Sequence, residues 1–284
     1  MSLTITRRLV GGLLKVAFAT LERVAPGPGS VLATRIWLTP PHTSPAAPGP
    51  TGGRRSTVPV NGSTVAVEEW GEGPAVFLLH GWGRTRRDFD AFVPPLVEAG
   101  FRVIAVEASG HGDSAPGPQG GRRSLLPEFI DALSAVTDRA GPAYAIVAHS
   151  AGAASAARAV LDGLRTEHLV LLAPMGNLLD YTAVLRPTLG FGRRIDAGFH
   201  RRLEQRSGRP LTDFDVAEGV AGRVDLPPML VVHDQTDRRN PYSDGVRIAA
   251  AWPGAELCPT TGLGHVRMLR DPAVVEAVVT FLRK

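Results

Sequence analysis

The sequence predicts an α/β protein built on a mostly parallel β-sheet with helices on both faces. Short apolar runs alternate with helical patterns along most of the 284-residue chain, and this alternation is typical of parallel sheets. The composition, 44% hydrophobic and 20% charged, is that of a globular protein long enough to bury a sizeable core. A single large domain with an N-terminal appendage is therefore expected.

The chain is basic, but its charge pattern does not indicate binding to nucleic acid. The formal net charge is +4 and the isoelectric point is about 9.8. Its arginines occur as scattered pairs interleaved with acidic residues rather than as one block along a phosphate backbone. Cys258 is the single cysteine, which excludes an intrachain disulfide and a Cys/His metal cluster. We therefore expect a cytoplasmic protein that needs neither a cofactor nor a metal.

The first 53 residues are predicted to form an amphipathic helix and a linker. Residues 7–24 place apolar side chains at helical spacing and charged ones opposite. Such a helix has three interpretations: packing on the body of the protein or on a partner chain, lying on a membrane surface, or targeting. It is too short and too charged to span a bilayer. Residues 39–53 are too rich in proline and glycine for regular structure and are predicted to be extended.

The folded domain is expected over residues 54–284 and begins with a hairpin. Two β-rich runs flank Asn61-Gly62, a dipeptide that accepts the positive φ angles of a tight turn. Six further apolar runs predict strands at residues 75–79, 102–107, 143–148, 168–173, 229–233 and 255–259. Helical patterns lie between most of them, at about 88–99, 124–140, 151–164, 242–251 and 272–283.

Residues 174–225 interrupt this alternation because they contain no strand-like run. An insertion of this size at the carboxyl edge of the sheet is expected to form a lid over that edge. The alternative is an ordinary long excursion with no role in substrate binding. Long irregular segments in compact domains usually carry function, which favours the lid.

The stretch "AYAIVAHSAGAASA" (143–156) predicts a buried strand that ends in a sharp turn with Ser150 at its tip. The small neighbours Ala148, Ala151 and Gly152 permit such a turn, which is a variant of G-x-S-x-G. The following helix directs its free amides and its positive dipole end at the tip. Ser150 is thus a candidate nucleophile. The alternative is a serine that caps the helix.

Two later segments supply candidate partners for this serine. "VVHDQTD" ends a predicted strand in Asp234 and Asp237, of which we prefer Asp237 because it lies a few residues beyond the strand end. His265 follows the last strand, between glycines that let its loop fold back over the sheet edge. Only His265 completes the chain order Ser, Asp, His expected of this architecture. His265 is then the general base and Asp237 its orienting acid.

The segment "FLLHGWG" (77–83) supplies a candidate oxyanion hole. It ends a predicted strand in a loop whose amide at Trp82 would face Ser150. A tetrahedral intermediate needs two donors on its oxyanion, and the backbone N–H groups of Trp82 and Ala151 are the candidates. The alternative is that His80 and Gly81 simply end the strand and have no role in catalysis.

Together these segments resemble the α/β-hydrolase family over about residues 60–284. The resemblance rests on "WGEGPAVFLLHGWG", "RVIAVEASGHGDS", "VAHSAGA", "LLAPMG", "VVHDQTD" and "GLGHVRMLRDP". It implies an eight-stranded sheet with an antiparallel second strand and a lid after the sixth strand. Two positions depart from the family pattern: Ala148 replaces the first elbow glycine, and Glu107 stands where the family often has Asp.

We therefore expect a serine hydrolase that cleaves a carboxylic ester or thioester of a small molecule through an acyl-enzyme. Cleavage of amides, lactones or carbon–carbon bonds would use the same residues, and a non-catalytic binding protein is the alternative from another class. In a weaker hypothesis, several arginines face the cleft and favour an anionic substrate. The candidates are Arg84, Arg86 and Arg87 after the oxyanion loop, Arg193 and Arg194 in the lid, and Arg238 and Arg239 beside Asp237. Two further hypotheses for the N-terminal helix are binding to a membrane surface and self-association.

Overall fold

The computed structural model describes residues 2–41 and 49–284, with side chains from Gly11 onward. Residues 42–48 of the predicted linker, and the side chains at the start of the predicted N-terminal helix, lie outside the described residues.

Eight strands form a single sheet, and their bounds follow the apolar runs of the sequence. The strands are β1 (Arg54–Val60), β2 (Ser63–Trp70), β3 (Ala75–Leu79), β4 (Arg102–Val106), β5 (Ala143–His149), β6 (Thr166–Leu172), β7 (Met229–Asp234) and β8 (Ala255–Thr260). Their order is β1-β2-β4-β3-β5-β6-β7-β8. β2 runs antiparallel to β1 and β4, and the remaining neighbours are parallel. The predicted mostly parallel α/β fold with eight strands is confirmed.

The described part of the chain contains twelve α-helices. They are α1 (Ser2–Val24), α2 (Pro26–Leu38), α3 (Val93–Glu98), α4 (Leu126–Ala140), α5 (Ala151–Leu161), α6 (Leu178–Ala183), α7 (Leu185–Leu189), α8 (Arg193–Ser207), α9 (Val216–Gly219), α10 (Tyr242–Ala251), α11 (Gly264–Arg267) and α12 (Pro272–Leu282). Short 3-10 helices occupy Arg86–Phe89, Leu211–Phe214 and Met268–Arg270. Residues 174–225, which all belong to the described part, thus hold helices and no strand.

The central strands lie in the core because both of their faces are covered. Every residue of β3 and β7 is buried, as expected for continuous apolar runs in a parallel sheet. At the edge, Asn61 and Gly62 adopt φ angles of 48° and 76°. These angles form the two-residue turn that matches the twist of paired strands, so the hairpin has the predicted connection.

The chain divides into two compact units. One contains α1 and α2 together with Asn177–Asp213, and the other contains the sheet, formed from the described part of Pro40–Gly176 and Phe214–Lys284. α2 was not predicted from the sequence. Its two prolines lie in the first turn, where a missing N–H costs no helical hydrogen bond.

Within the smaller unit, α2 and α8 lie very close together because small residues meet at their contact. A Cβ at Gly29 would lie 2.4 Å from the Ile195 side chain, and one at Gly198 would lie 2.8 Å from that of Ser30. The carboxylate of Glu22 in α1 accepts hydrogen bonds from the amides of Arg194 and Ile195, at 2.9 and 3.0 Å. It therefore caps the first turn of α8.

None of the described helices combines the length and the apolar character that crossing a membrane requires.

Candidate active site

Ser150 lies at the turn between β5 and α5 in a strained backbone conformation. Its φ and ψ angles are 56° and −120°, and a positive φ is rare for a residue with a side chain. The Ser150 hydroxyl makes no capping hydrogen bond to α5. The alternative interpretation, in which this serine serves as a helix cap, is therefore wrong.

The turn depends on small residues because three segments meet there. A Cβ at Gly152 would lie 2.2 Å from the carbonyl oxygen of His80, and one at Gly81 would lie 3.0 Å from the Ser150 Cβ. A side chain at Gly152 would require movement of the backbone, and one at Gly81 would require the side chains of His149 and Ser150 to give way. The loop after β3 is thereby brought directly beside the serine.

The side chains of Ser150, His265 and Asp237 form one chain of hydrogen bonds. His265 Nε2 lies 3.0 Å from Ser150 Oγ, and His265 Nδ1 lies 2.7 Å from Asp237 Oδ2. A carboxylate only accepts, so Nδ1 carries the proton and Nε2 is free to accept from the hydroxyl. The geometry is that of a nucleophile, a general base and an orienting acid.

The carboxylate of Asp237 is ionised and fixed in orientation. Burial disfavours its charge, but hydrogen bonds from His265 and from the amides of Arg239 and Asn240 outweigh burial and lower its pKa. Asp237 Oδ1 accepts the two amides at 2.7 and 3.1 Å. Oδ2 is thus left for the imidazole.

Asp234, the other candidate acid, bonds to the loops around the site. Its Oδ1 accepts from the amide and hydroxyl of Thr236 at 2.9 and 2.6 Å, and its Oδ2 accepts from the Thr260 hydroxyl and the Leu263 amide, both at 2.9 Å. These bonds join the loop that carries Asp237 to the loop that carries His265. The side chain that pairs with His265 Nδ1 is that of Asp237, in agreement with the preference for Asp237.

His149 contacts the base directly, which the sequence analysis did not predict. Its Nε2–H donates to the carbonyl oxygen of His265 at 2.9 Å, and the two rings lie 4.7 Å apart between centroids. Burial, together with the adjacent His265, holds the pKa of His149 well below its ordinary value. A neutral His149 ring thus supports the backbone of the His265 loop through this hydrogen bond. No sequence pattern marks this contact, because the two residues lie 116 positions apart.

Asn240 is a second residue that the sequence analysis missed. Its buried side-chain amide donates to the Ala173 carbonyl at 2.8 Å and lies 3.4 Å from Ser150 Oγ. In the sequence it precedes Pro241 and looks like a turn residue. Only the fold shows that this loop returns to the serine.

The two candidate oxyanion donors belong to the two segments that adjoin Ser150. Ala151 is the first residue of α5, so its amide has no helical carbonyl to bond. Trp82 follows Gly81, the residue in contact with Ser150. The Trp82 ring packs 5.5 Å from His111, and His111 Nε2 accepts from the Gly83 amide at 3.1 Å. His111 therefore holds the loop at Trp82 and at Gly83.

Three arginines beside this loop do not form the anionic-substrate site that the sequence suggested. Arg86 is buried and bonds to Glu68, Glu107 and Asp113. Arg84 pairs with Asp88, and Arg87 pairs with Glu68 and Asp90. Their charges are neutralised by carboxylates, so that expectation is wrong for these three. Glu107, which departs from the family pattern, is a partner of Arg86 and of two backbone amides.

Comparisons with known proteins agree with this architecture. The chain is 33% identical to a non-heme haloperoxidase of Rhodococcus erythropolis over 101 residues, which is 35% of this chain and 36% of the relative. It thus spans about a third of that relative's length. A 2-hydroxy-6-oxononadienedioate/2-hydroxy-6-oxononatrienedioate hydrolase of Pseudomonas sp is 26% identical over 72% of this chain and 82% of the relative.

A solved hydrolase structure from Pseudomonas aeruginosa PA01 superposes with a TM-score of 0.63 at 22% identity, covering 82% of this chain and all of that one. This likeness concerns the fold. A sequence model described as the alpha/beta hydrolase family matches residues 76–278, which include every strand from β4 to β8 and all three residues of the hydrogen-bonded chain. The protein therefore belongs to the alpha/beta hydrolase family.

Proposed function

We propose that this hydrolase cleaves carboxylic esters or thioesters through an acyl-serine intermediate. The observation that carries the proposal is the unbroken chain from Ser150 Oγ to His265 Nε2 at 3.0 Å and from His265 Nδ1 to Asp237 at 2.7 Å. A serine hydroxyl is a weak nucleophile unless a base removes its proton, and this arrangement supplies the base in the correct tautomer.

The reaction follows in two halves. Ser150 Oγ attacks the acyl carbon while His265 takes the hydroxyl proton, and the ionised Asp237 stabilises the imidazolium. The amides of Trp82 and Ala151 hold the oxyanion, and His265 returns the proton to the departing alcohol or thiol. Water then enters, loses a proton to His265 and attacks the acyl-serine, which releases the acid and restores the hydroxyl.

Carbon–carbon bond cleavage is a second candidate because the Pseudomonas dienedioate hydrolase matches over most of both chains. That relative is named for a substrate with two carboxylates. In this chain Arg84, Arg86 and Arg87, which follow the loop that carries Trp82, are paired with acidic side chains. These three arginines are therefore not free to bind a dianionic substrate. The ester reaction therefore stands first.

Labelling with a fluorophosphonate probe tests the nucleophile without knowledge of the natural substrate. We expect the label on the peptide that contains Ser150, no label in Ser150→Ala, and strongly slowed labelling in His265→Ala. Hydrolysis of neutral p-nitrophenyl esters then tests the ester reaction. A folded protein that takes no label would support the non-catalytic binding protein instead, and labelling without ester hydrolysis would favour another acyl or carbon–carbon substrate.

A further inference from the structure

One face of α1 is apolar and exposed although the helix is otherwise folded into the smaller unit. Leu13, Val16 and Val24 have 71%, 66% and 75% of their surface exposed. Their spacing places them along one side of the helix. Phe18, on another side, is fully buried and packs 5.6 Å from Phe191. α1 thus uses one face for the fold and leaves a second apolar face to solvent.

The following helix adds further exposed apolar side chains. Val31 and Leu32 of α2 each have 38% of their surface exposed. Arg35 lies one turn further along the same side of α2 and is also exposed. Apart from Val224 and Val246, every large apolar side chain exposed among the described residues belongs to the smaller unit. Such a concentration is unusual for a free surface and marks an interaction site.

The same unit carries the positive charge of the protein. Residues 1–39 and 177–213 hold twelve basic and five acidic residues, an excess of seven positive charges. The rest of the chain holds nineteen basic and twenty-two acidic residues and is therefore net negative. Glu22 is the single acidic residue of residues 1–39, and its carboxylate is occupied by two amides of α8. The first 39 residues therefore carry five basic residues against one acidic residue.

Further cations gather near the start of α2. Arg194, Arg201 and Arg202 line a depression together with Gly27 and Ser30. Arg202 is held there by a hydrogen bond from its Nε to Ser30 Oγ at 3.0 Å. These guanidinium groups are suited to lipid phosphates and carboxylates, which they bind in bidentate fashion.

We propose that the exposed apolar sides of α1 (Leu13, Val16 and Val24) and α2 (Val31 and Leu32) bind the surface of an anionic lipid bilayer. The aliphatic side chains enter the boundary between headgroups and acyl chains. Arg23 and Arg35, which are exposed on the same sides of the two helices, pair with anionic headgroups. A second copy of the chain is disfavoured as the occupant, because two units with seven excess positive charges would face each other. A nucleic acid is disfavoured because the stripe is aliphatic and offers neither stacking rings nor donors.

Vesicle co-sedimentation of the full chain tests the proposal independently of catalysis. We expect binding to vesicles of phosphatidylcholine with about one third phosphatidylserine. Binding should fall about tenfold or more when the phosphatidylserine is removed or when salt is raised from about 0.1 to 0.5 M, because the Debye length then shortens below the reach of the headgroup charges.

Matched variants separate the apolar from the cationic contribution. Leu13→Gln with Val16→Gln should weaken binding about tenfold or more, whereas Val224→Gln with Val246→Gln removes exposed apolar side chains elsewhere and should leave it unchanged. Arg23→Gln with Arg35→Gln should weaken binding and flatten its salt dependence. Arg165→Gln with Arg283→Gln removes the same charge from other exposed positions and is the control.

The folding of each variant is checked by its thermal midpoint and by fluorophosphonate labelling in solution. Failure of the wild-type chain to bind anionic vesicles would overturn the proposal. So would equal losses in the test and control variants. A dimer on a sizing column that Leu13→Gln with Val16→Gln converts to monomer, without vesicle binding by the wild type, would assign the surface to a second copy instead.

Discussion

Replacement of Asp237 by asparagine should disturb the orientation and tautomer of His265 while it preserves the hydrogen bonds that stabilise the loop. Asp237 Oδ1 accepts two backbone amides and Oδ2 accepts His265 Nδ1. In Asp237→Asn the new amide oxygen must stay on the backbone donors, because an NH₂ group cannot accept from them. The NH₂ group then faces Nδ1 and favours the tautomer in which Nε2 carries the proton. His265 in that tautomer cannot take the proton of Ser150.

The expected loss follows from this change of tautomer. Where an orienting aspartate is replaced by asparagine without movement of the site, kcat falls by about 10⁴, which is about 5.5 kcal/mol in the barrier. KM should change little, because the acid does not touch the substrate. Steady-state hydrolysis of a neutral p-nitrophenyl ester near pH 8 measures both constants, and fluorophosphonate labelling should slow in parallel.

Asp234→Asn is the matched control. It should lower the free energy of unfolding and leave kcat nearly unchanged. Each Asp234 oxygen accepts two donors, so an amide in its place satisfies one pair and opposes the other. Two hydrogen bonds to a charged group, each worth about 1.5–3 kcal/mol, are lost, and the free energy of unfolding should fall by about 3–6 kcal/mol. The folded fraction should keep kcat within about tenfold.

Urea unfolding and kinetics on both variants decide the matter. The proposed roles require a large loss of kcat with near-normal stability in Asp237→Asn, and a large loss of stability with near-normal kcat in Asp234→Asn. If Asp237→Asn kept more than about a tenth of the wild-type kcat, the assignment of Asp237 as the orienting acid would be refuted.

Three further changes have defined outcomes. Asn240→Leu removes a weak donor to Ser150, so kcat should fall about twofold to tenfold in ester hydrolysis; an unchanged kcat would exclude a positioning role. Gly152→Ala forces a methyl group against the carbonyl of His80 and should lower the free energy of unfolding by about 2 kcal/mol or more in urea. Lowering the pH from 7 to 5.5 should also destabilise the fold, because burial lowers the pKa of His80 to about 4 and of His111 to about 3. Unfolded histidines bind protons near pH 6.5 that these folded rings do not bind, so each of the two lowers the free energy of unfolding by about 1 kcal/mol over this range. Burial raises the pKa of Glu128 to about 7, so the folded carboxyl takes up a proton over the same range and offsets about one histidine. A net loss of about 1 kcal/mol remains, and a urea midpoint that rises on acidification would contradict this.

The sequence predicted the sheet well because its central strands are largely buried, although β1 and β8 at the edges are mostly exposed or half-buried. β3 and β7 are short, continuous apolar runs. Runs of this kind are typical of strands in a parallel sheet that is covered on both faces. It also brought forward Ser150, His265 and Asp237, since chain order and position at strand ends decide which residues meet at the carboxyl edge of a parallel sheet. The structure places these three within hydrogen-bonding distance.

The features that were missed depend on contacts between distant segments. α2 begins with two prolines in its first turn and has no clear amphipathic stripe. Gly29 and Ser30 fix it against α8, which lies far along the chain. Arg86 looked like a free cation because its partners Glu68 and Glu107 lie 18 and 21 residues away. Periodicity and spacing contain no information about such partners.

The strained backbone at Ser150 shows how the site is held ready for reaction. A positive φ with a side chain costs about 1–3 kcal/mol and persists only where the surroundings enforce it. Here the Ser150 amide donates to Leu172 of β6, and its carbonyl accepts from Ala153 of α5 and Met175 of the loop after β6. Three segments therefore fix the residue through its backbone and leave the hydroxyl uncommitted to the helix. Because no bond of the turn has to break when Oγ reacts, the strain belongs to the folded scaffold and adds nothing to the barrier of each turnover.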